Sequence, residues 1–209
     1  MDGLLIDSEP YWQEAGIETL QHFNVSLTLE QYHATTGLRT REWIQYWFNF
    51  FEIDYRYAKD AEVKIVDAAI EKIRAHAQPM PGIDYIFPFF KENHFTIGLA
   101  TSSPVELIDV VVDKLGIRGY FKGFSSAENL PHSKPHPAVF LNCAEILEKD
   151  PVNCICFEDS FNGMIAAKAA RMKCIVIPAS DVYAQPKWEA ADLKLRSLLE
   201  FDGNELAAL

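Results

Sequence analysis

The sequence has little of the positive charge and none of the long apolar runs that nucleic-acid and membrane proteins need. It carries 19 lysine and arginine residues against 30 aspartate and glutamate residues, a formal net charge of −11. Binding to nucleic acid or to an anionic membrane relies on clustered positive charge. No apolar run approaches the roughly 20 residues of a membrane-spanning helix, and the first residues do not match a secretory signal. We therefore expect a cytoplasmic protein that binds neither nucleic acid nor membranes.

Cysteine is also scarce. The four cysteines, at positions 143, 154, 156 and 174, lie in apolar stretches, and their spacing fits metal ligation poorly. We expect buried, reduced thiols. The remaining composition, with 49% hydrophobic and 23% charged residues among 209, is typical of a globular protein. This length allows one domain or one domain with a smaller insertion.

The first third of the chain has a helical pattern. Between residues 9 and 77, apolar residues recur at intervals of three and four, and the aromatic-rich stretch 43–57 fits packing among helices better than a ligand surface. Two prolines and a glycine within residues 78–82 then end the pattern. This predicts a helical unit followed by a hinge.

Beyond the hinge, strand-like and helical patterns alternate. The sequence predicts helices at 83–93, 104–115, 137–148 and 161–171, and strands at 95–100, 123–126, 153–157 and 173–177. Such alternation predicts an α/β fold, with a doubly wound parallel sheet whose ligand site lies at the carboxyl ends of the strands.

Hydroxyl and lysine side chains follow two of these apolar runs. Thr101, Ser102 and Ser103 precede a helix, where hydroxyls and free backbone N–H groups suit an anion, although such residues are also ordinary helix caps. Lys134 is followed by a proline that restricts the backbone, so that a held ammonium could neutralise a phosphate.

Two adjacent acids, Glu158 and Asp159, end a third apolar run. They would repel each other unless a cation or a lysine shared the site. Helix capping by Asp159 or Ser160 is the alternative interpretation. The small-sided helix that follows is suited to close packing near a site.

Four ordered segments together resemble the haloacid dehalogenase superfamily, in its branch of β-phosphoglucomutase-like enzymes and hexitol or 2-deoxyglucose-6-phosphate phosphatases. The segments are 1–10 (MDGLLIDSEP), 99–103 (LATSS), 133–137 (SKPHP) and 158–164 (EDSFNGM). The resemblance covers essentially the whole chain. It implies a Rossmann-like core over residues 1–8 and 79–209, with a helical cap over 9–78 inserted near the N-terminus.

The resemblance implies a magnesium-dependent phosphatase that hydrolyses small sugar or sugar-alcohol phosphates through an aspartyl-phosphate. By position, Asp2 would protonate the leaving oxygen and then activate water. Thr101 and Ser102 would hold phosphoryl oxygens, and Lys134 would offset charge on the nucleophile and the phosphate.

The implied metal is Mg²⁺, held by Asp159 with help from Glu158 and the backbone carbonyl of Asp2. The segment 36–39 (TGLR) resembles the cap loop that meets the substrate. Arg39, or Arg41 with a small shift in alignment, would then contact the sugar, although an exposed arginine at a helix end is at least as good an interpretation.

In this family a hydrophobic first strand ends in the nucleophilic aspartate, and that aspartate would lie immediately before Met1. Both the strand and the nucleophile are therefore absent from residues 1–209. Loss of a central strand would leave backbone groups unpaired and an apolar gap. Our hypothesis is that the natural chain carries more N-terminal residues, including Asp directly before Met1.

Two alternatives remain open. A chain that starts at Met1 could be a catalytically inactive phospholigand-binding protein. A sugar phosphomutase could use the same core, although mutase relatives usually have histidine where this sequence has Trp12. A cap on two linkers also makes a monomer with hinge closure the expected state.

Overall fold

A computed structural model describes residues 1–35 and 38–209, and it contains a helical unit followed by an α/β unit. The helical unit consists of α1 (Glu9–Gln21), α2 (Leu29–Ala34), α3 (Thr40–Phe50) and α4 (Ala58–His76). The α/β unit consists of α5 (Ile83–Glu92), β1 (Ile97–Thr101), α6 (Val105–Lys114), β2 (Phe121–Ser126), α7 (Ala138–Ile146), β3 (Ile155–Glu158), α8 (Phe161–Ala169), β4 (Lys173–Val176), β5 (Leu193–Lys194) and α9 (Gly203–Ala208). The predicted boundaries at 8/9 and 78/79 stay a prediction.

The strands pair in parallel throughout the described residues. β1 pairs with β2, while β4 pairs with β3 on one side and with β5 on the other. Parallel neighbours need crossover connections, and α6 and α8 supply them between β1 and β2 and between β3 and β4. The predicted α/β class with a parallel sheet is confirmed.

Within the described residues, no ladder joins β1 to β3, and a slot separates them. The slot is an apolar cavity of about 250 Å³, and residues 97–100 and 154–157 line its two sides. Leu4, Leu5, Phe90 and Leu147 contribute further to its walls, and Met1 lies at its border. The sheet is therefore split at the place where the family resemblance implies a first strand.

The chain crosses between the two units twice, near residues 6–7 and 78–80, and the two crossings lie side by side. Ile6 and Pro79 form an antiparallel bridge, the Asp7 N–H donates to the Gln78 carbonyl at 2.9 Å, and the Met80 N–H donates to the Leu5 carbonyl at 3.0 Å. The predicted break at 78–82 thus coincides with the second crossing of the chain between units.

The four predicted strands are present with boundaries that differ by at most two residues, and a fifth strand was not predicted. The strand predicted at 153–157 begins only at Ile155, because Asp150 accepts a hydrogen bond from the Val152 N–H and caps a 3₁₀ turn over Pro151–Asn153. The short strand β5 was not predicted, because two residues carry no periodicity that a sequence pattern could reveal. Among the described residues, no helix has the length and apolar character that crossing a membrane requires.

We expect slower amide hydrogen exchange in β4 than in β1. β4 has a hydrogen-bonded neighbour on both sides, whereas the edge of β1 that faces the slot has none among the described residues. Amides exchange according to the free energy of the opening that exposes them. Exchange measured by mass spectrometry tests this, and equal protection of Leu99 and Ile175 would contradict a split sheet in solution.

Candidate active site

One cavity brings all the sequence-predicted site residues together. It has a volume of about 120 Å³ and lies between the helical unit and the carboxyl ends of β1 and β3. The predicted residues among its lining are Asp2, Arg39, Thr101, Ser102, Lys134, Glu158 and Asp159. Ligand sites at strand carboxyl ends are the rule for open α/β sheets. The individual roles of these residues stay predictions.

A buried ion pair forms the floor of this cavity. The Lys134 ammonium donates to the Glu158 carboxylate, and the two side chains are only 7% and 5% exposed. Burial is the largest single influence and would lower the pKa of Lys134, but the charge and the hydrogen bond of Glu158, with smaller contributions from Cys156 and Asp159, together raise the pKa. The lysine is therefore held as a cation, and its ammonium also lies 4.9 Å from the centre of the Phe140 ring.

The Glu158 carboxylate is further fixed by the start of α8. It accepts a hydrogen bond from the Ser160 hydroxyl at 3.0 Å, and the same hydroxyl caps α8 by accepting from the Gly163 N–H at 3.0 Å. A Cβ at Gly163 would collide with the Glu158 carboxylate. The alternative interpretation of Ser160 as a helix cap is confirmed, and capping and site geometry prove to be one arrangement.

Three donors orient the Asp2 carboxylate. Its Oδ1 accepts from the Ser8 hydroxyl at 2.7 Å and from the Trp12 indole at 3.0 Å, and its Oδ2 accepts from the Ser103 hydroxyl at 2.6 Å. None of these three contacts with Asp2 was predicted from the sequence, in which Ser103 was only one of three hydroxyls suited to an anion. The Trp12 contact depends on how α1 packs against the α/β unit.

The two hydroxyls predicted to hold phosphate differ in their present contacts. The Thr101 hydroxyl, on a buried residue, accepts from the Ser103 N–H at 3.1 Å and so shapes the turn after β1. The Ser102 hydroxyl is buried and has no hydrogen-bond partner among the described residues. A buried polar atom without a partner is unfavourable. Ser102 is therefore a polar group with bonding capacity left for a ligand.

Asp159 fits a cation with oxygen ligands. Its carboxylate lies against the backbone of Gly3, at a distance that a Cβ on Gly3 would not allow. Burial raises the pKa of Asp159 to about 7, and the neighbouring Glu158 carboxylate acts in the same direction. The described residues contain no cluster of three His, Cys, Asp or Glu side chains arranged around a metal. Mg²⁺ needs only one or two carboxylates, with waters and phosphate oxygens completing its shell.

Glu158 is less available for a metal than the sequence analysis expected, because Lys134 and Ser160 already engage its carboxylate. Asp159, which lies against Gly3, is the carboxylate left to hold a cation, and the role of the Asp2 backbone carbonyl stays a prediction.

Arg39 connects the two units. Its Nη1 donates to the carbonyls of Ala127 at 3.0 Å and Leu130 at 2.9 Å, and its Nη2 donates to Glu42 at 2.8 Å. Arg39 is thus not a free surface arginine, because its two terminal nitrogens are engaged by the protein. Its Nε is buried without a partner among the described residues and could still donate to a ligand. Two residues of the predicted cap loop, Thr36 and Gly37, lie outside the described residues.

We predict that Glu158→Gln destabilises the protein by about 3–5 kcal/mol, because the Lys134 ammonium would be left buried without a counter-charge. Chemical denaturation followed by circular dichroism measures this change in the free energy of unfolding. Glu148→Gln is the matched control, since it removes the partner of Lys122 from an exposed pair. Equal effects of the two substitutions would show that the buried pair does not hold the site together.

Comparison with known proteins shows which family the chain belongs to. Residues 1–177 match the family model described as haloacid dehalogenase-like hydrolase. The chain is 37% identical over 207 residues to hexitol phosphatase B of Escherichia coli K12, covering 99% of this chain and 93% of that protein. It is 28% identical to the fructose-1-phosphate phosphatase of the same organism, covering 84% of this chain and 92% of that one.

The fold has solved counterparts. A crystal structure of β-phosphoglucomutase from Clostridium difficile superposes with a TM-score of 0.86 at 21% identity, covering 99% of this chain and 92% of that one. At this identity the likeness concerns the fold alone. The resemblance drawn from the four sequence motifs is confirmed: the chain belongs to the haloacid dehalogenase-like hydrolase family.

Proposed function

We propose that this protein is a Mg²⁺-dependent phosphatase that hydrolyses small sugar or sugar-alcohol phosphates. The observation that carries the proposal is the convergence of Asp2, Ser102, Lys134 and Asp159 on one cavity at the strand ends. The hexitol and fructose-1-phosphate phosphatases among its relatives support the substrate class.

The charges in the cavity support a metal requirement. Four carboxylates line it, from Asp2, Glu9, Glu158 and Asp159, against the two cations of Arg39 and Lys134. Glu158 already balances Lys134, and Glu42 pairs with Arg39. A phosphate dianion would therefore enter a site with excess negative charge. A divalent cation at Asp159 would offset part of that excess and polarise the phosphoryl group.

The chain's own residues account for binding and proton transfer. The Ser102 hydroxyl would donate to a phosphoryl oxygen, and the fixed Lys134 ammonium would offset developing charge. The Asp2 carboxylic acid would protonate the leaving oxygen, and the resulting carboxylate would then take a proton from water. The contacts from Ser8, Trp12 and Ser103 keep this carboxylate in one orientation.

Trp12 also favours hydrolysis over phosphoryl return to the sugar. Mutase relatives usually have histidine at its position, whereas an indole is a donor only and cannot relay a proton. The β-phosphoglucomutase likeness does not weigh against this, because it concerns fold.

We further propose that an extended apolar segment occupies the slot between β1 and β3 and carries the nucleophilic aspartate. Both strands offer unpaired backbone edges to such a segment, and the walls of the slot are mainly apolar. Met1 lines the slot and also the site cavity. A strand that leads directly into Met1 would therefore place its last residue, the proposed aspartate, where the slot meets the site cavity.

The nucleophile proposal predicts activity from an N-terminal extension. Fusing a short apolar segment ending in Asp to Met1 should give Mg²⁺-dependent phosphate release and higher stability. The same segment ending in Asn should give the stability without turnover, because it fills the slot but lacks a nucleophile. Equal activity of the Asp and Asn forms would contradict the proposal, as would an intact mass of 23.7 kDa for a fully active natural protein.

Substitutions at Asp2 and at Asp159 should reduce phosphatase activity in different ways. In the protein form that releases phosphate from sorbitol 6-phosphate, Asp2→Asn should lower kcat by about 10²–10⁴-fold at saturating Mg²⁺, because it removes the proton-transfer group. Asp159→Asn should chiefly raise the Mg²⁺ concentration needed for half-maximal rate. Exposed Asp7→Asn is the control for a charge change in the same segment. Full activity of both site variants would refute the assignment.

A further inference from the structure

A tryptophan in the wall contributed by the helical unit carries a hydrogen-bond donor that has no partner in the described part of the chain. Trp43 lies in α3, lines the site cavity and is 7% exposed. Its indole Nε1 is buried and meets no acceptor among the described residues. The neighbouring Trp47 shows the usual situation, since its Nε1 donates to the Thr35 hydroxyl at 3.2 Å. Buried donors are almost always paired, so an unpaired one at a cavity indicates an absent acceptor.

The Trp43 ring is held firmly in place. It packs on α1 at Gly16, where an added Cβ would lie 3.0 Å from the ring, and its centre lies 6.1 Å from that of Tyr32 and 6.4 Å from that of Trp47. A ring fixed by neighbours on several sides cannot turn its N–H toward water at little cost. The donor is thus a fixed feature of the cavity wall.

The neighbouring groups limit the chemistry of the acceptor. The Nε of Arg39, which lines the same cavity, is a second buried donor without a partner among the described residues. The Glu9 carboxylate also lines the cavity and would repel a second phosphate or a carboxylate. The charge of Arg39 is already paired with Glu42. Neutral oxygen acceptors, such as the hydroxyls of a polyol, satisfy these conditions best.

We propose that Trp43 is a specificity-determining residue whose indole N–H binds a hydroxyl or ring oxygen in the sugar part of the substrate. This inference rests on the proposed phosphatase function and adds to it. The core wall, with Ser102 and Lys134, takes the phosphoryl group that every substrate shares. The Trp43 donor then separates polyhydroxylated substrates from phosphate esters that lack an acceptor, because only the former satisfy it.

The test compares Trp43→Phe with the unchanged protein by calorimetric binding of sorbitol 6-phosphate and of inorganic phosphate, each with Mg²⁺. Phe keeps most of the apolar ring and removes the donor. We expect binding of sorbitol 6-phosphate to weaken about tenfold, as for loss of one buried hydrogen bond, and binding of inorganic phosphate to stay unchanged. Equal changes for both ligands, or no change for either, would overturn the inference.

Two controls keep the outcome decisive. Trp47→Phe removes an indole donor outside the cavity lining and should reduce stability without changing the ratio of the two affinities. If Trp43→Phe does not fold, hexyl phosphate replaces the variant as the probe. It matches the chain length of the hexitol but has no hydroxyl, and binding to the unchanged protein as tight as that of sorbitol 6-phosphate would overturn the inference.

A failure of the proposed function has a different signature. In that case the unchanged protein, with or without the N-terminal extension, would bind neither inorganic phosphate nor sorbitol 6-phosphate with Mg²⁺. The inference would then fail together with it. Phosphate binding with no preference for the hexitol ester would overturn only the inference.

Discussion

The buried ion pair between Lys134 and Glu158 is the interaction on which the geometry of the site depends. Two charges this deeply buried are tolerated only together, so the loop before α7 and the end of β3 are bound to one relative position. Through Ser160, the same carboxylate fixes the start of α8, and Gly163 leaves it the space. The phosphate-binding side of the cavity is thus rigid before any ligand arrives.

The pair has a second consequence, for charge. Because Glu158 neutralises Lys134, the lysine alone cannot balance a phosphate dianion, and two further acidic residues, Asp2 and Asp159, line the same cavity. This explains why a divalent cation belongs to the proposed mechanism, where it would offset these acids and the phosphate together. The Asp159 carboxylate against Gly3 is the part of the site best suited to hold it.

The helical unit supplies the other half of the cavity. Arg39 bonds to the carbonyls of Ala127 and Leu130, and Trp12 bonds to Asp2, so both contacts tie the orientation of this unit to the geometry of the catalytic side. Cap closure over such a site would exclude water while it completes substrate contacts. Trp43 lies in this half, where variation in α3 can change substrate choice without altering the phosphate-binding residues.

Sequence reasoning reached the fold, and it selected residues that line one cavity, because both depend on local signals. Alternating apolar runs specify parallel strands, and residues that follow such runs must meet at one edge of the sheet, as Ser102, Lys134 and Asp159 do. The contacts of Trp12, Ser103 and Trp43 could not be predicted, since they depend on how helices and loops pack across units. The pairing of Lys134 with Glu158 lay between these cases. Adjacent acids suggested a cation or a lysine, but only the structure shows that the lysine pairs with Glu158.

A crystal structure of the protein soaked with MgCl₂ and inorganic phosphate would show whether this cavity binds a divalent cation together with a phosphate. We expect a cation at the Asp159 carboxylate and the backbone of Asp2, with the phosphate bound by the Ser102 hydroxyl and near Lys134. Phosphate bound elsewhere, or an empty cavity at saturating concentrations of both ions, would contradict this expectation.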